Sequence, residues 1–387
     1  MFLPHVFILQ SRITCFVYSI LLWKDGLEMK EKSQDLTGYF NENIRIGLKQ
    51  IMAFSIQNPA LLLKAGRLYL AFRRASKKRA EYIEQSIQIP PMIIFSVTNA
   101  CNLDCAGCYA KLLHNSNETE LNAGQFKQLL HDAQDLGVSI FLLAGGEPLM
   151  RDGLLKTLKE FPKMIFLLFT NGTLLDDTAI QSLKKQRNIL TIISLEGDQH
   201  DTDLRRGGGV FERAHEVFAK LKCEKILFGT SITQTSQNFD LVNDEEYLVH
   251  MMEKGCQVFF FINYLPVNPQ TNHLALDRQQ VEQHLEILKK LRAKYPALFL
   301  AFPGGEVEIG GCLAGGKGLI HINPLGDVQP CPFSPFSDAN LKEVSLLDAL
   351  RSSHLETIRN SGDRLDESDG SCALWKNKAW VEDLYKK

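Results

Sequence analysis

Three cysteines on one short segment are the residues of this sequence best suited to metal chemistry. Cys101, Cys105 and Cys108 lie in TNACNLDCAGCYA with the spacing C-x3-C-x2-C. Three thiolates on one loop can surround a metal centre, but a structural zinc site needs a fourth ligand, and no adjacent Cys or His supplies it. An iron–sulfur cube with one iron left open fits the spacing better, and a zinc loop with a remote fourth ligand is the alternative.

A second polar segment follows the next apolar run. FLLA is followed directly by Gly145, Gly146, Glu147 and Pro148. Two glycines allow a backbone to approach a ligand closely, and carbonyls with a carboxylate can hold an ammonium group. The alternative is a plain turn between a strand and a helix, where Gly-Gly and Pro are common.

Polar side chains also follow the third and fourth apolar runs. Asn171 lies in TNGT, Ser194 and Glu196 lie in SLEG, and Arg205 and Arg206 follow in HDTDLRRGGG. Polar residues at successive strand ends can line one pocket, and a guanidinium fork suits a carboxylate ligand. Each of these residues alone could equally be a helix cap, a turn residue or a solvated loop charge.

A second cysteine set lies near the C-terminus and consists of Cys312, Cys331 and Cys372. The segment GLIHINPLGDVQPCPF between the first two predicts a β-hairpin that brings these two cysteines together at its base. With three cysteines in this region, a fourth metal ligand must come from elsewhere, or one iron stays open. We expect Cys223 and Cys256 to be buried core residues instead.

The elements that must position these residues alternate along the chain. Short apolar runs predict six strands, at 92–97, 140–143, 165–169, 190–193, 226–232 and 258–262. Helix-period stretches lie between or after them, at 122–136, 153–160, 176–185, 210–222, 244–254 and 277–295. Apolar strands alternating with amphipathic helices predict an α/β fold with a parallel sheet. Six such units favour an open (β/α)6 partial TIM barrel, with its chemistry at the strand ends.

Composition bounds the class of protein. The 387 residues are 45% apolar and 23% charged with a net charge of −2, which is typical of a globular chain and gives no basic surface for nucleic acid. Nine unevenly spaced cysteines indicate thiol or metal chemistry rather than a disulfide scaffold. The predicted organisation is an apolar or doubtful start at 1–28, a helical, partly basic segment at 29–89, the barrel at 90–275, a connecting helix at 276–300 and a small α+β cluster-binding domain at 301–387.

The N-terminal part leaves several interpretations open. Residues 1–23 are mostly apolar, so they could be a membrane anchor or a packed segment, or translation could start at Met29. The following helix at 64–79 is rich in Arg and Lys. Such a helix could contact an anionic membrane surface, or it could only present a solvated face.

The motif CNLDCAGC after the first predicted strand resembles the cluster motif of the radical S-adenosylmethionine (SAM) superfamily. The resemblance covers about residues 92–375. It implies that Cys101, Cys105 and Cys108 hold a [4Fe–4S] cluster whose fourth iron is open to SAM. One departure is Gly107, because relatives usually carry an aromatic residue at that place, near the adenine; here Tyr109 follows the last cysteine instead.

The same resemblance assigns roles to the other strand-end residues. GGEP is similar to the family's loop for the amino group of SAM, and Asn171 lies in the same pocket. Ser194, with Glu196 beside it, corresponds to the family's contact to the ribose or carboxylate. Arg206, which precedes a glycine, is the first choice for pairing with the SAM carboxylate, and Arg205 is the second.

The C-terminal cysteine pattern is similar to that of the auxiliary-cluster domains named SPASM and twitch. The short, twitch-like form carries one cluster, so the resemblance implies a second [4Fe–4S] cluster held by Cys312, Cys331 and Cys372. That cluster would take an electron from a substrate radical or bind the substrate directly.

The resemblance implies an oxidoreductase or maturase that cleaves SAM reductively and abstracts hydrogen from a peptide or small-molecule substrate. Flavodoxin or ferredoxin is the implied reductant, no nucleic acid is expected, and the implied location is cytoplasmic with possible contact to a membrane surface. One alternative is a radical SAM enzyme acting on a membrane lipid. Another is a non-catalytic iron–sulfur scaffold or redox protein. No Ser/His/Asp grouping is visible in the sequence.

Overall fold

The computed structural model describes residues 44–45, 47, 59–114, 118–302, 306, 311–367 and 371–385. The predicted segment 1–28 lies outside these residues, as does most of the predicted helical segment before residue 59. The described residues form a sheet covered by helices, and each predicted strand and helix listed above is found within a few residues of its expected bounds.

All described strands belong to one nine-stranded sheet. The strands are β1 Met92–Ser96, β2 Ile140–Ala144, β3 Ile165–Thr170, β4 Ile189–Leu195, β5 Phe228–Gln234, β6 Val258–Asn263, β7 Leu298–Ala301, β8 Leu319–Ile322 and β9 Val328–Gln329. Their order is β7-β6-β5-β4-β3-β2-β1-β8-β9, with every pair parallel except β8 and β9. The predicted open (β/α)6 barrel is therefore confirmed, and β7 extends it at one edge.

Helices connect the strands and cover the sheet. The α-helices are α1 Pro59–Ile83, α2 Tyr109–His114, α3 Ala123–Leu136, α4 Leu154–Leu158, α5 Asp177–Gln186, α6 Gln199–Arg206, α7 Val210–Cys223, α8 Phe239–Val242, α9 Glu245–Glu253, α10 Arg278–Lys294, α11 Leu346–Leu350, α12 Ser353–Asn360, α13 Ala373–Lys376 and α14 Lys378–Tyr385. Local signals set their ends: Asn122 and Gln125 form a capping box on α3, and Asp277 and Gln280 form one on α10. These capping boxes fix where α3 and α10 begin.

The core lies between the sheet and these helices. Phe95, Phe141, Phe166 and Phe259 are fully or almost fully buried, and the ring of Phe95 stacks on Phe126 of α3 with centroids 5.1 Å apart. Continuous apolar strands are the pattern that a sheet covered on both faces requires. This packing fixes the strand ends, and with them the loops that carry the candidate site.

Helix α1 covers the end of the sheet opposite those loops. Leu68 and Phe72 pack against Ile140 and Ile165 at the starts of β2 and β3. The prediction that the basic side chains of this helix are solvated is wrong for Arg79, which is buried. Arg79 donates hydrogen bonds to the carbonyl of Gly137 and, at 3.0 Å, to Ser139 Oγ. Burial lowers the pKa of Arg79 to about 10.

The predicted hairpin is present, and it joins the barrel sheet. β8 pairs in parallel with β1, and His321 on β8 lies 2.8 Å from Ser96 Oγ and 2.7 Å from Gln329 Oε1. The C-terminal region is therefore hydrogen-bonded to the first barrel strand rather than built on a separate sheet.

Cys223 and Cys256, which belong to neither cysteine set, differ in their exposure. Cys256 is buried, as predicted, but the prediction for Cys223 is wrong, since Cys223 is exposed at the end of α7. The apolar face of α7 comprises Ala214, Val217 and Leu221, and Cys223 lies off that face at helical spacing. In the described residues, no helix combines the length and the apolar character needed to cross a membrane.

Candidate functional site

The loop that follows β1 carries the first three cysteines. Cys101, Cys105 and Cys108 are all partly exposed. The backbone N–H of Ala106, between the last two cysteines, donates to the Arg205 carbonyl at 2.8 Å. The cysteine loop is therefore fixed to the C-terminal end of α6, and its sulfur atoms lie at the edge where the parallel strands end.

The loop after β2 packs directly under the cysteine loop. The Gly146 N–H donates to the Thr98 carbonyl at 2.7 Å, and the Glu147 N–H donates to the Ala100 carbonyl at 2.8 Å. A Cβ at Gly146 would lie 2.1 Å from the Ala100 oxygen, and Gly145 has φ of +126°. The two glycines are thus required for the two loops to meet. The sequence predicted a close approach to a ligand instead, and that stays a prediction.

We expect the substitution Gly146→Ala to disrupt the first cysteine site. The added Cβ would collide with backbone atoms of Ala100, which cannot rotate away as a side chain can. We expect a loss of about 1–3 kcal/mol in the free energy of unfolding, together with less iron bound per chain after anaerobic reconstitution. Thermal melting and an iron assay measure both.

Gly66→Ala is the matched control, because a Cβ there meets no atom within 4 Å and the residue lies inside helix α1. This variant should keep its iron and should not melt earlier. If Gly146→Ala behaves like the Gly66 control, the contact between the two loops does not hold the cysteine loop in place.

Glu147 is almost fully buried, and the protein engages both of its oxygens. Oε1 accepts hydrogen bonds from Thr170 Oγ1 at 2.7 Å and from the Leu149 N–H at 3.2 Å, while Oε2 accepts from the Asn171 N–H at 2.8 Å. Burial raises the pKa of Glu147, against the hydrogen bonds and the nearby Arg206 charge, which lower it. The carboxylate therefore ties the end of β2 to the end of β3, a positioning role that the sequence did not suggest.

Asn171 extends this connection to the cysteine loop. Its side-chain amide donates to Asn102 Oδ1 at 2.9 Å, and its Oδ1 accepts from Thr173. Asn102 also donates to Thr173 Oγ1 at 2.8 Å. The cysteine loop and the loop after β3 consequently form one hydrogen-bonded unit.

Glu196, directly after β4, accepts hydrogen bonds from both candidate arginines. Its Oε1 accepts from Arg205 and, at 2.8 Å, from Arg206 Nε, and the Arg205 guanidinium also donates to Thr233 Oγ1 at 2.9 Å. Burial acts to lower the pKa of Arg205, but the charges of Glu196, Cys105 and Cys108 outweigh it and raise the pKa. Arg205 therefore lies beside the cysteine loop, and both arginines belong to the same site.

A polar surface for a ligand follows from this arrangement. Glu196 Oε2 is buried and has no hydrogen-bond partner among the described residues. Ser194 lies two residues earlier, on β4. It is partly exposed, and its Oγ lies 3.1 Å from Ser231 Oγ on β5. A buried acceptor of this kind is costly unless a donor such as a ligand hydroxyl reaches it.

The aromatic residues near the cysteines explain the departure at position 107. Gly107 has φ of +65°, and a Cβ there would lie 2.5 Å from the Tyr264 hydroxyl. Tyr264 follows β6 directly, and its hydroxyl donates to Thr271 Oγ1 at 2.9 Å. The ring of Tyr264 thus occupies the space that a side chain at 107 would need. Sequence reasoning missed Tyr264, although its position at a strand end was a usable signal.

Tyr109 points away from that space, toward the second cysteine set. Its ring centroid lies 5.0 Å from that of Phe333, two residues after Cys331. Burial raises the pKa of the Tyr109 hydroxyl, and the charges of both Cys108 and Cys331 raise it further. Tyr109 therefore connects the two cysteine sets.

The second cysteine set forms a buried cluster of its own. Cys312, Cys331 and Cys372 pack with Phe333 and neighbouring apolar residues and line one cavity. Burial is the main cause that raises the thiol pKa of all three, and the charges of their neighbouring sulfur atoms add to it. Since a bound metal would stabilise thiolates that burial otherwise disfavours, the donor set fits an iron–sulfur cluster.

Neither cysteine set has the spacing of a shell around one ion. In the described part of the chain, three metal-ligating atoms lie within 4.8 Å of one another at Asp198, His200 and Asp201 but not at either cysteine set. Tetrahedral zinc with Zn–S bonds of ~2.3 Å would bring the sulfurs to ~3.8 Å from one another. The Asp–His group is exposed and carries no further assignment.

Comparisons with known proteins agree with this geometry. Residues 95–233 match the family profile of the radical SAM superfamily. The chain is 31% identical over 244 residues to Fe-coproporphyrin III synthase of Methanosarcina barkeri, covering 59% of this chain and 59% of that protein. It is 26% identical over 283 residues to the subtilosin biosynthesis protein AlbA of Bacillus subtilis, covering 70% of this chain and 60% of AlbA. The chain thus spans about three-fifths of the length of these two relatives.

Among solved structures, SuiB of Streptococcus suis bound to S-adenosylmethionine is similar with a TM-score of 0.62 and 22% identity, covering 88% of this chain and 83% of SuiB. SuiB has also been solved bound to its precursor peptide SuiA, and that structure gives a TM-score of 0.60. At this identity the likeness concerns the fold.

Proposed function

We propose that this chain, whose residues 95–233 match the radical SAM superfamily, is an enzyme that cleaves SAM reductively and modifies a peptide or small-molecule substrate. The cofactors of the family are a [4Fe–4S] cluster and SAM. When bound, they supply a 5′-deoxyadenosyl radical that abstracts hydrogen from a substrate.

One observation carries the proposal: the cysteine loop, Glu147 and the Glu196–arginine group meet at the same strand ends. The Arg205 carbonyl accepts a hydrogen bond from the cysteine loop, Arg206 donates to Glu196, and the charge of Arg206 lowers the pKa of Glu147. The three thiols, two guanidinium groups and one buried acceptor of this site offer partners to an iron–sulfur cluster, to the SAM carboxylate and to a ribose hydroxyl. A protein that only carries an iron–sulfur cluster does not need groups that bind SAM.

In this proposal the residues of the chain bind and orient. Cys101, Cys105 and Cys108 hold the cluster, and the backbone of Gly145 and Gly146 lies beside it. Arg206 pairs with the SAM carboxylate, and Glu196 fixes the orientation of that guanidinium while its Oε2 accepts from a ribose hydroxyl. No side chain is assigned a proton-transfer step, because the family's chemistry needs none.

A second cluster at Cys312, Cys331 and Cys372 belongs to the same proposal. The three thiols are buried together at the side of the barrel, and Tyr109 bridges toward them from the first cysteine loop. The electron for SAM cleavage would come from flavodoxin or ferredoxin in the cytoplasm.

A peptide substrate has specific support from the relatives. SuiB was solved with its precursor peptide, and AlbA takes part in the biosynthesis of the bacteriocin subtilosin. The heme-related synthases among the relatives support a small molecule instead. Assaying the reduced protein with SAM for 5′-deoxyadenosine tests the reaction, and substrate-dependent stimulation of that release by candidate peptides or tetrapyrroles tests the class of substrate.

A membrane lipid is a second candidate, and one observation favours it. Leu63 and Leu70 on the basic helix α1 are 59% and 51% exposed, next to Arg67 and Arg74. Exposed leucines beside cationic side chains can enter the surface of an anionic bilayer. Flotation of the full chain with anionic vesicles distinguishes this candidate from a substrate in solution.

Arg206→Ala should weaken SAM binding while leaving the iron content intact. Arg206 is nearly buried, with 11% of its side chain exposed, and a lost guanidinium–carboxylate pair at such a site costs about 2 kcal/mol or more, or ~30-fold in Kd. Equilibrium binding of SAM to the reconstituted protein measures the change. Arg278→Ala on the exposed face of α10 is the control and should leave Kd unchanged.

The variant Arg205→Ala shows which of the two arginines contacts the SAM carboxylate. A loss of SAM affinity in this variant alone would move the carboxylate contact from Arg206 to Arg205. Unchanged affinity in both variants would mean that the SAM carboxylate is held elsewhere.

A further inference from the structure

Two buried carboxylates face the C-terminal cysteines. Glu306 and Glu367 line the same cavity as Cys312, Cys331 and Cys372. Their exposed fractions are 4% and 5%. Carboxylate oxygens and thiolates are both ligands of protein-bound iron, so five possible metal ligands line this one cavity.

Glu367 is held in place by the backbone next to a cysteine. Its Oε1 accepts the N–H of Ala373 at 3.0 Å, and Ala373 follows Cys372 directly. This bond fixes the carboxylate relative to the Cys372 sulfur.

We propose that Glu367 is the fourth protein ligand of the auxiliary cluster, binding iron through Oε2 while Cys312, Cys331 and Cys372 hold the other three iron atoms. The inference rests on the auxiliary cluster of the proposed function. Carboxylate oxygen is an established ligand of protein-bound iron. The donor set is then complete without a substrate group.

This ligand decides between two roles for the auxiliary cluster. A cluster with four protein ligands has no open iron, so it cannot bind the substrate directly. It can still accept an electron from the substrate radical, as the proposed function allows.

The test uses the full chain with Cys101, Cys105 and Cys108 replaced by alanine, so that the auxiliary cluster is the one observed. In this parent, ~4 irons per chain should assemble, and the EPR spectrum of the reduced cluster should not shift on adding cyanide. Glu367→Gln keeps an oxygen for the Ala373 N–H but removes the anionic ligand. We expect its spectrum to differ from that of the parent and to shift with cyanide.

Glu306→Gln is the matched control, since it changes a carboxylate of the same burial in the same cavity. Its spectrum and its lack of response to cyanide should equal those of the parent. The proposal is overturned if the parent itself responds to cyanide, if Glu367→Gln equals the parent, or if Glu306→Gln alone opens a site.

A second measurement leaves Glu367 unchanged, so that the proposal can still be tested if Glu367→Gln assembles no cluster. The parent is prepared with 13C-carboxyl glutamate, and pulsed electron–nuclear double resonance of the reduced cluster should show coupling to a bound carboxylate carbon. Absence of that coupling overturns the Glu367 ligand and leaves the auxiliary cluster standing. A parent that binds no iron overturns the auxiliary cluster, and the Glu367 ligand with it.

Discussion

Replacing Cys101, Cys105 and Cys108 together by alanine should remove about half of the bound iron and abolish the release of 5′-deoxyadenosine. The wild-type chain should bind ~8 irons as two four-iron clusters, and these three thiols are the ligands of one of them. Without them nothing positions SAM for reduction, so the loss of cleavage should be complete rather than partial. Iron content and chromatographic detection of 5′-deoxyadenosine after anaerobic reconstitution measure the two effects.

Cys223→Ala is the control for this triple substitution. Cys223 is exposed and belongs to neither cysteine set, so its loss should change neither iron content nor SAM cleavage. A triple variant that keeps full iron and still cleaves SAM would show that the first cluster has been placed on the wrong residues.

Replacing Cys312, Cys331 and Cys372 by alanine should remove the other half of the iron and abolish product formation while SAM cleavage stays measurable. The reason is spatial. The proposed SAM contacts come from the ends of β1 to β4 and from α6, whereas these three cysteines lie in a separate buried cluster. Tyr109 packs on Phe333 between the two sets, so we expect cleavage to be slower but present.

Thermal melting distinguishes a catalytic role of this second cluster from a structural one. A folded variant that makes product at the wild-type rate would contradict the catalytic role. Because a structural cluster can supply folding free energy, the single variant Cys372→Ala accompanies the triple variant. Loss of product in a single variant that melts like the wild type supports the catalytic role, whereas loss of product together with unfolding shows that the cluster is structural.

Much of the fold follows from local pattern. The six apolar runs predicted β1 to β6 because strands covered on both faces must be apolar throughout. The edge strand β7 was not predicted, since LFLA has only four residues and follows closely after the long helix α10. The pairing of β8 with β1 was not predictable either, because it joins residues more than two hundred positions apart through contacts such as Ser96 with His321.

The candidate site was predictable where a motif is continuous in sequence and not where its parts are distant. The cysteine loop and GGEP were found from spacing, and the structure brings them into contact. The sequence did not predict that Glu196 accepts hydrogen bonds from both arginines, because two consecutive arginines do not show which of them faces the site. Glu367 was missed as well, since its proximity to Cys312 arises only when the chain folds.

The proposal that this chain uses SAM as a radical source is tested most directly by one assay. The reconstituted wild-type protein is reduced with dithionite in the presence of SAM, and 5′-deoxyadenosine is quantified over time. The account predicts 5′-deoxyadenosine in molar excess over protein, dependent on both reductant and SAM. A protein that carries its full complement of reduced iron–sulfur clusters but releases no 5′-deoxyadenosine would contradict the account and identify the chain as an iron–sulfur scaffold or redox protein.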